Sequence, residues 1–144
     1  QHQVAASLDA EDLFTTQLRM GKHSFLADEP VRFGGNNFGP TPYDLLSAGL
    51  AACTAMTVQM YARRKEWNVE NITVHINHSR EHAIDCGKCE ESNAKIDTFK
   101  KSVELKGNLS YDQKRRLMQI ADRCPVHKTL SQKIQIISSL STDG

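Results

Sequence analysis

Four cysteines in 144 residues stand at uneven spacing: Cys53, then Cys86 and Cys89 as a C-x-x-C, then Cys124. They are too few to staple a chain of this length, so thiol redox chemistry and metal binding are the chemistries to weigh. Cys53 falls in the middle of an apolar stretch among Ala48, Gly49, Ala51, Ala52, Thr54 and Ala55. Small neighbours let a backbone or a substrate come close. They also suit a plain core cysteine, because a free thiol packs as a small hydrophobe. Cys124 precedes Pro125 at an apparent helix start, where unpaired N–H groups and the positive dipole end favour a thiolate. A low-pKa thiol is also a good leaving group in disulfide exchange. The plain alternative is that Cys124 only caps the helix.

His78, His82, Cys86 and Cys89 lie close together with Asp85, Glu90 and Glu91 among them. Zinc takes about four ligands in tetrahedral array. His82, Cys86 and Cys89 supply three, and His78 or a carboxylate supplies a fourth. A reversible disulfide and exposed thiols without a role are the competing readings, since one C-x-x-C is a weaker signal than two. His127, three residues after Cys124, either tunes that thiol or is a partly buried structural histidine.

The elements that must position these groups are legible in outline. Residues 1 to 10 show no apolar period and read as a frayed, flexible arm, leaving 11–144 as a single domain. Leu13–Met20 and Lys22–Ala27 read as a β-hairpin broken at Gly21. The turn formers from Gly34 to Pro42 read as a loop. Thr41 as N-cap, Pro42 at the first helical position and Asp44 in the first turn then predict a helix to Lys65. It is apolar on nearly every side until its basic end, as a centrally buried helix is. Asn68–His78 and Phe99–Leu105 alternate as strands, with a polar tip between them. Ser110 caps a second helix carrying Leu117, Ile120 and Ala121, a short helix follows Cys124, and Lys133–Leu140 reads as a closing strand. The order is β-β-α-β-β-α-α-β, an α+β fold.

With 18 basic and 17 acidic residues, the balance gives no electrostatic case for nucleic acid or an anionic membrane surface. The N-terminus lacks the order of a secretory signal, and no apolar run reaches the roughly 18 residues of a membrane span. The expectation is a cytoplasmic protein.

The segment GPTPYDLLSAGLAACTAMTVQMYARRK resembles the central helix of the OsmC/Ohr family of hydroperoxide-detoxifying proteins, and ADRCPVHKTL resembles that family's second cysteine segment. The motifs occur in the family's order, and the resemblance runs from about Leu13 to Leu140. It implies an intertwined homodimer built around long central helices, with Cys53 as the peroxidatic and Cys124 as the resolving cysteine. It further implies that a Cys53 sulfenic acid condenses with Cys124 to a disulfide, that no cofactor is required, and that a dithiol reductant, thioredoxin-like or lipoyl, restores both thiols.

The family also uses an arginine beside the first cysteine. Arg32 resembles the OsmC-type position and Arg19 the Ohr-type one, with Arg32 preferred. The family's glutamate falls on Tyr43. The nearest carboxylate, Asp44, is rotated about 100° around the helix from that position, and serves equally well as a first-turn dipole partner. The His82–Glu90 segment, H-A-x-D-C-x-x-C-E in pattern, resembles one OsmC-like branch. A function from another class, a dimeric accessory protein holding an apolar ligand, or a metal at His82, Cys86 and Cys89, is the alternative to the peroxidase.

Overall fold

The computed structural model describes residues 3–82 and 95–141. The chain divides into two compact units, 1–48 and 49–144.

In the first unit, β1 (Val4–Ser7), β2 (Thr16–Met20) and β3 (His23–Ala27) form an antiparallel sheet in that order. The expected hairpin is present as β2 and β3, with Leu18 opposite Phe25. Residues 4–7, expected within a frayed arm, instead pair with β2, Val4 opposite Met20 and Ser7 opposite Gln17. All four β1 side chains are exposed. Main-chain hydrogen bonds hold the strand, so no apolar alternation marks it in the sequence.

The turn-rich loop is tied to one carboxylate. Asp28 is almost fully buried; it accepts from the Thr15 hydroxyl at 2.6 Å and from the N–H groups of Glu29 at 2.7 Å, Phe38 at 3.2 Å and Asn36 at 3.3 Å. Gly35 fits there because a β-carbon would fall 2.1 Å from the Glu29 carbonyl oxygen. The loop thus delivers the chain to α1 (Pro42–Lys65) at the expected residue. Thr41 Oγ1 accepts from Asp44 N–H at 3.1 Å, and Asp44 Oδ2 accepts from Thr41 N–H at 3.0 Å, a reciprocal cap.

In the second unit, β4 (Asn71–His82) and β5 (Lys95–Lys106) make a long antiparallel hairpin. Both strands run further than their apolar alternation indicates, through polar residues held by the ladder. Gly107 ends β5 where a β-carbon would meet the Asn68 carbonyl oxygen at 2.1 Å. α2 (Tyr111–Ala121) starts from a capping box between Ser110 and Gln113, and α3 (Pro125–Leu130) follows Cys124. Val58, Tyr61 and Ala62 of α1 meet Leu117, Ile120 and Ala121 of α2, with Trp67, Val69, Ile72, Val103 and Leu105 packed around them.

Three expectations are corrected. α1 is not buried all round within the chain: Leu50, Thr54, Val58, Tyr61 and Ala62 are buried, while Met56 is 65% and Met60 70% exposed. Residues at spacing four share a face, so the apolar back of the helix is exposed among the described residues. α1 is also long and apolar enough to cross a membrane by length and composition, where no such stretch was expected. A helix packed in a protein core has the same length and composition. Lys133–Leu140, expected as a strand, forms no ladder among the described residues, and Ile136 and Ile137 are exposed.

Burial works against the charge on Asp28, yet the Thr15 hydroxyl and the three N–H groups outweigh it and hold the carboxyl below its ordinary value. A depressed carboxyl pKa stabilises the fold above the unfolded value and loses that contribution as pH falls through the folded one. Asp28→Asn is therefore expected to lower the thermal midpoint at neutral pH and to flatten its acid-side decline. Melting curves across pH 2 to about 7 check both effects.

A candidate dithiol site between two helices

Cys124 occupies the N-cap of α3 with extended backbone, φ −65° and ψ 140°, and Pro125 at the first helical position. Its Sγ accepts the His127 N–H at 3.2 Å, so the sulfur fills the place of an N-cap oxygen. The residue is fully buried. Thr54, buried on α1, sets its hydroxyl 3.7 Å from Sγ of Cys124 and 2.8 Å from the Leu50 carbonyl oxygen. One hydroxyl proton serves one acceptor at a time. A thiolate at Cys124 draws it from the helix carbonyl, which keeps its main-chain partner.

Cys53 is the next residue back on α1 and is partly exposed. Its thiol is among the groups that draw the Cys124 pKa down. Burial raises the Cys124 pKa, but the His127 N–H, the Cys53 thiol, the Thr54 hydroxyl and the Lys101 charge outweigh it, and the net direction is downward. The two sulfurs therefore differ in kind. One is sealed and favours the thiolate, and the other is open to a reactant.

Lys101 was not among the residues singled out in the sequence. Its side chain is only 7% exposed; its ammonium donates to the Ala121 carbonyl at 3.0 Å and to His127 Nδ1 at 2.9 Å. An ammonium only donates, so Nδ1 accepts and the ring proton of a neutral His127 sits on Nε2. Asp122 Oδ1 lies 3.7 Å from the ammonium. One sequence signal does mark this lysine: Phe99, Lys101, Val103 and Leu105 share the half-buried face of β5, and a charge interrupts an otherwise apolar row. A cleft of about 430 Å³ opens beside it, lined by Leu50, Phe99, Leu130 and Ile96 with Lys101 and His127. Leu50 is one helical turn before Cys53.

The remaining candidates have settings of their own. Arg19 is exposed on β2, opposite Ala5 and Ser24. Arg32 stands in a 3₁₀ turn, Val31–Phe33, with its guanidinium 4.8 Å from the Phe33 ring centre. Asp44 is engaged in the α1 cap. All three belong to the first unit, whereas Cys53 and Cys124 belong to the second. His78 pairs with Asp97 at 3.0 Å and lies against Phe99. Cys86 and Cys89, and the side chain of His82, lie outside the described residues, and with them the tentative zinc site.

A family model described as OsmC-like protein matches residues 34–139. No match to a curated protein sequence was found. Among solved structures, the chain resembles an OsmC-like protein of Mycoplasma pneumoniae at 19% identity and TM-score 0.70, covering 91% of this chain and 87% of that one. It resembles a protein of Psychrobacter arcticus, described as an osmotic stress induced and detoxification response protein, at 19% identity and TM-score 0.68, covering 88% and 85%. It also resembles the organic hydroperoxide resistance protein OhrB of Bacillus subtilis at 18% identity and TM-score 0.62, covering 90% and 89%. At these identities the likeness establishes the shared fold.

The hydroxyl of Thr54 is the one group on α1 besides Cys53 that supports a charged Cys124. Thr54→Val is expected to move the ultraviolet thiolate titration of Cys124 to higher pH while lowering unfolding free energy by only about 0.5–1.5 kcal/mol. An unmoved titration would show that the hydroxyl serves the helix alone.

Proposed function

Since the chain belongs to the OsmC-like family, we propose that it is a thiol-dependent peroxidase that reduces organic hydroperoxides in oxidative stress defence, acting in the cytoplasm. The observation that carries this reading is a buried Cys124 at a helix start, its sulfur accepting the His127 N–H and facing the Thr54 hydroxyl of α1, with a partly exposed Cys53 next to Thr54 in the chain. The Bacillus subtilis relative, an organic hydroperoxide resistance protein, supports the substrate class.

In the proposed cycle the Cys53 thiolate attacks the terminal peroxide oxygen. The O–O bond breaks, the alkoxide takes a proton and leaves as the alcohol, and Cys53 becomes a sulfenic acid. The Cys124 thiolate then attacks the Cys53 sulfur, the S–O bond breaks, and hydroxide leaves and is protonated to water. A dithiol reductant later restores both thiols. Forming the disulfide brings the two sulfurs to an S–S bond of about 2.05 Å. The Leu50, Phe99 and Leu130 walls of the cleft suit the organic part of the substrate.

By the family resemblance, the cation that assists Cys53 is assigned to Arg32, with Arg19 as the second candidate. Asp44 is the nearest carboxylate to the family's acidic position, and its bond to Thr41 N–H gives it a structural task already. We further assign a homodimer as the working form, because the Met56 and Met60 face of α1 and the apolar residues of the last segment are exposed among the described residues.

Titration of free thiols before and after one equivalent of an organic hydroperoxide tests the reaction. Two thiols are expected to disappear, and Cys53→Ser is expected to abolish the loss. Survival of all four thiols in excess peroxide would refute the peroxidase. Sedimentation velocity tests the assembly: twice the chain mass is expected for the parent and a monomer for the Met56→Glu/Met60→Glu double variant, whereas a monomeric parent removes the dimer.

A further inference from the structure

The role of Lys101 follows from what its ammonium holds. Two of its hydrogen bonds go to opposite sides of the bend that carries Cys124: the Ala121 carbonyl, at the end of α2, and the His127 ring, in the first turn of α3. Asp122, in the bend itself, lies 3.7 Å away. A lysine 7% exposed is costly to bury unless its donors are used and its charge is needed. The donors are used on the bend. The charge acts on the sulfur of Cys124. His127, which receives the ammonium through its ring, gives its own N–H to the same sulfur at 3.2 Å. The lysine therefore reaches Cys124 twice, once by its field and once through the turn it fixes.

We propose that Lys101 is a positioning residue for the reductive half of the cycle, holding the α2–α3 bend so that Cys124 is the sulfur expelled when a dithiol reductant opens the Cys53–Cys124 disulfide. The proposal rests on the dithiol reading above. The burial of Cys124 and the partial exposure of Cys53 direct the reductant's thiolate to the Cys53 sulfur. A new S–S bond forms there, the Cys53–Cys124 bond breaks, and its electron pair goes to Cys124, which leaves as a thiolate. The second thiol of the reductant then attacks the mixed disulfide, releasing Cys53 and the oxidised, cyclic reductant. The leaving thiolate meets the His127 N–H and the Thr54 hydroxyl, with the Lys101 charge behind them. A better leaving thiolate departs faster. Among the described residues, the titratable or charged groups around the bend are Cys53 on α1, Lys101 on β5 and His127 on α3, with Asp122 in the bend itself beside Lys101 and His127.

The test uses the full chain carrying Cys86→Ser and Cys89→Ser, so that only the two site thiols report. The disulfide is made with diamide, which bypasses any peroxide chemistry, and its reduction by dihydrolipoamide is followed under single-turnover conditions. Lys101→Met is expected to slow this reduction by roughly threefold to tenfold, and Lys101→Arg, which keeps the charge, to recover most of the rate. With Cys53→Ser added, Lys101→Met is expected to move the thiolate titration of Cys124 to higher pH, a change that a purely structural lysine would not produce. Unchanged reduction and unchanged titration in a folded Lys101→Met protein overturn the proposal, and so does a loss that Lys101→Arg fails to recover. Failure of diamide to join the two cysteines overturns the dithiol reading and the proposal together. Failure to react with hydroperoxide, while the diamide-made disulfide still depends on Lys101, overturns the peroxidase alone.

Discussion

A sulfur sealed from water can carry charge only where protein dipoles stand in for the solvent it has lost. At Cys124 the first replacement is the His127 N–H, one of the donors that every helix start leaves without an intrahelical partner. The rest of the C-terminal unit is arranged around that bond. α2 must end where it does for the bend to form, and Pro125 needs no acceptor at the first position of α3. α1 must pass close enough for Thr54 and Cys53 to meet the sulfur. The core of Val58, Ala62, Leu117 and Ala121 holds α1 against α2 at that distance. Packing and chemistry are thus one constraint at this place: a change that separates the helices also removes two of the donors on the sulfur.

The buried lysine beneath the bend shows the same economy of groups. It satisfies a carbonyl at the C-terminal end of α2, where a cation is favoured by the helix dipole. It orients a histidine ring, and it places positive charge near the sulfur. An apolar residue in its place would fill the β5 face between Phe99 and Val103 with less desolvation. It would leave the Ala121 carbonyl without this donor and the Cys124 sulfur without a cation nearby. The stability lost by burying a charge is offset by what the charge does to the bend.

The parts of this arrangement governed by local rules were legible in the residues. Thr41-Pro42 and Ser110 start helices because their side chains answer unpaired N–H groups, and Cys124-Pro125 starts one for the same reason. The β2–β3 hairpin was equally clear from its turn. Features held by main-chain pairing were not: β1 carries four exposed side chains, and the ends of β4 and β5 are polar, so no periodicity announces them. Lys101 escaped notice because a lysine on a strand is normally a solvated residue, and only its register with Phe99, Val103 and Leu105 sets it apart. The last segment erred the other way. Ile134, Ile136 and Ile137 have the composition of a strand, but composition does not supply the neighbour a strand needs.

That missing neighbour bears on how far a single chain explains its own sequence. Met56 and Met60 repeat at helical spacing along α1, and solvent contact at that size is unfavourable by roughly 25 cal/mol for each Å² of apolar surface. Polar residues would serve better there if the face were always wet. The opposite face of the same helix carries Thr54 to the Cys124 sulfur and Val58 into the core. A helix apolar on both sides is one whose position is fixed from both sides, and Cys53 sits between the two faces. In the proposed homodimer, the partner that covers Met56 and Met60 therefore bears on the helix that presents Cys53, and α1 couples the geometry of the proposed dithiol to association.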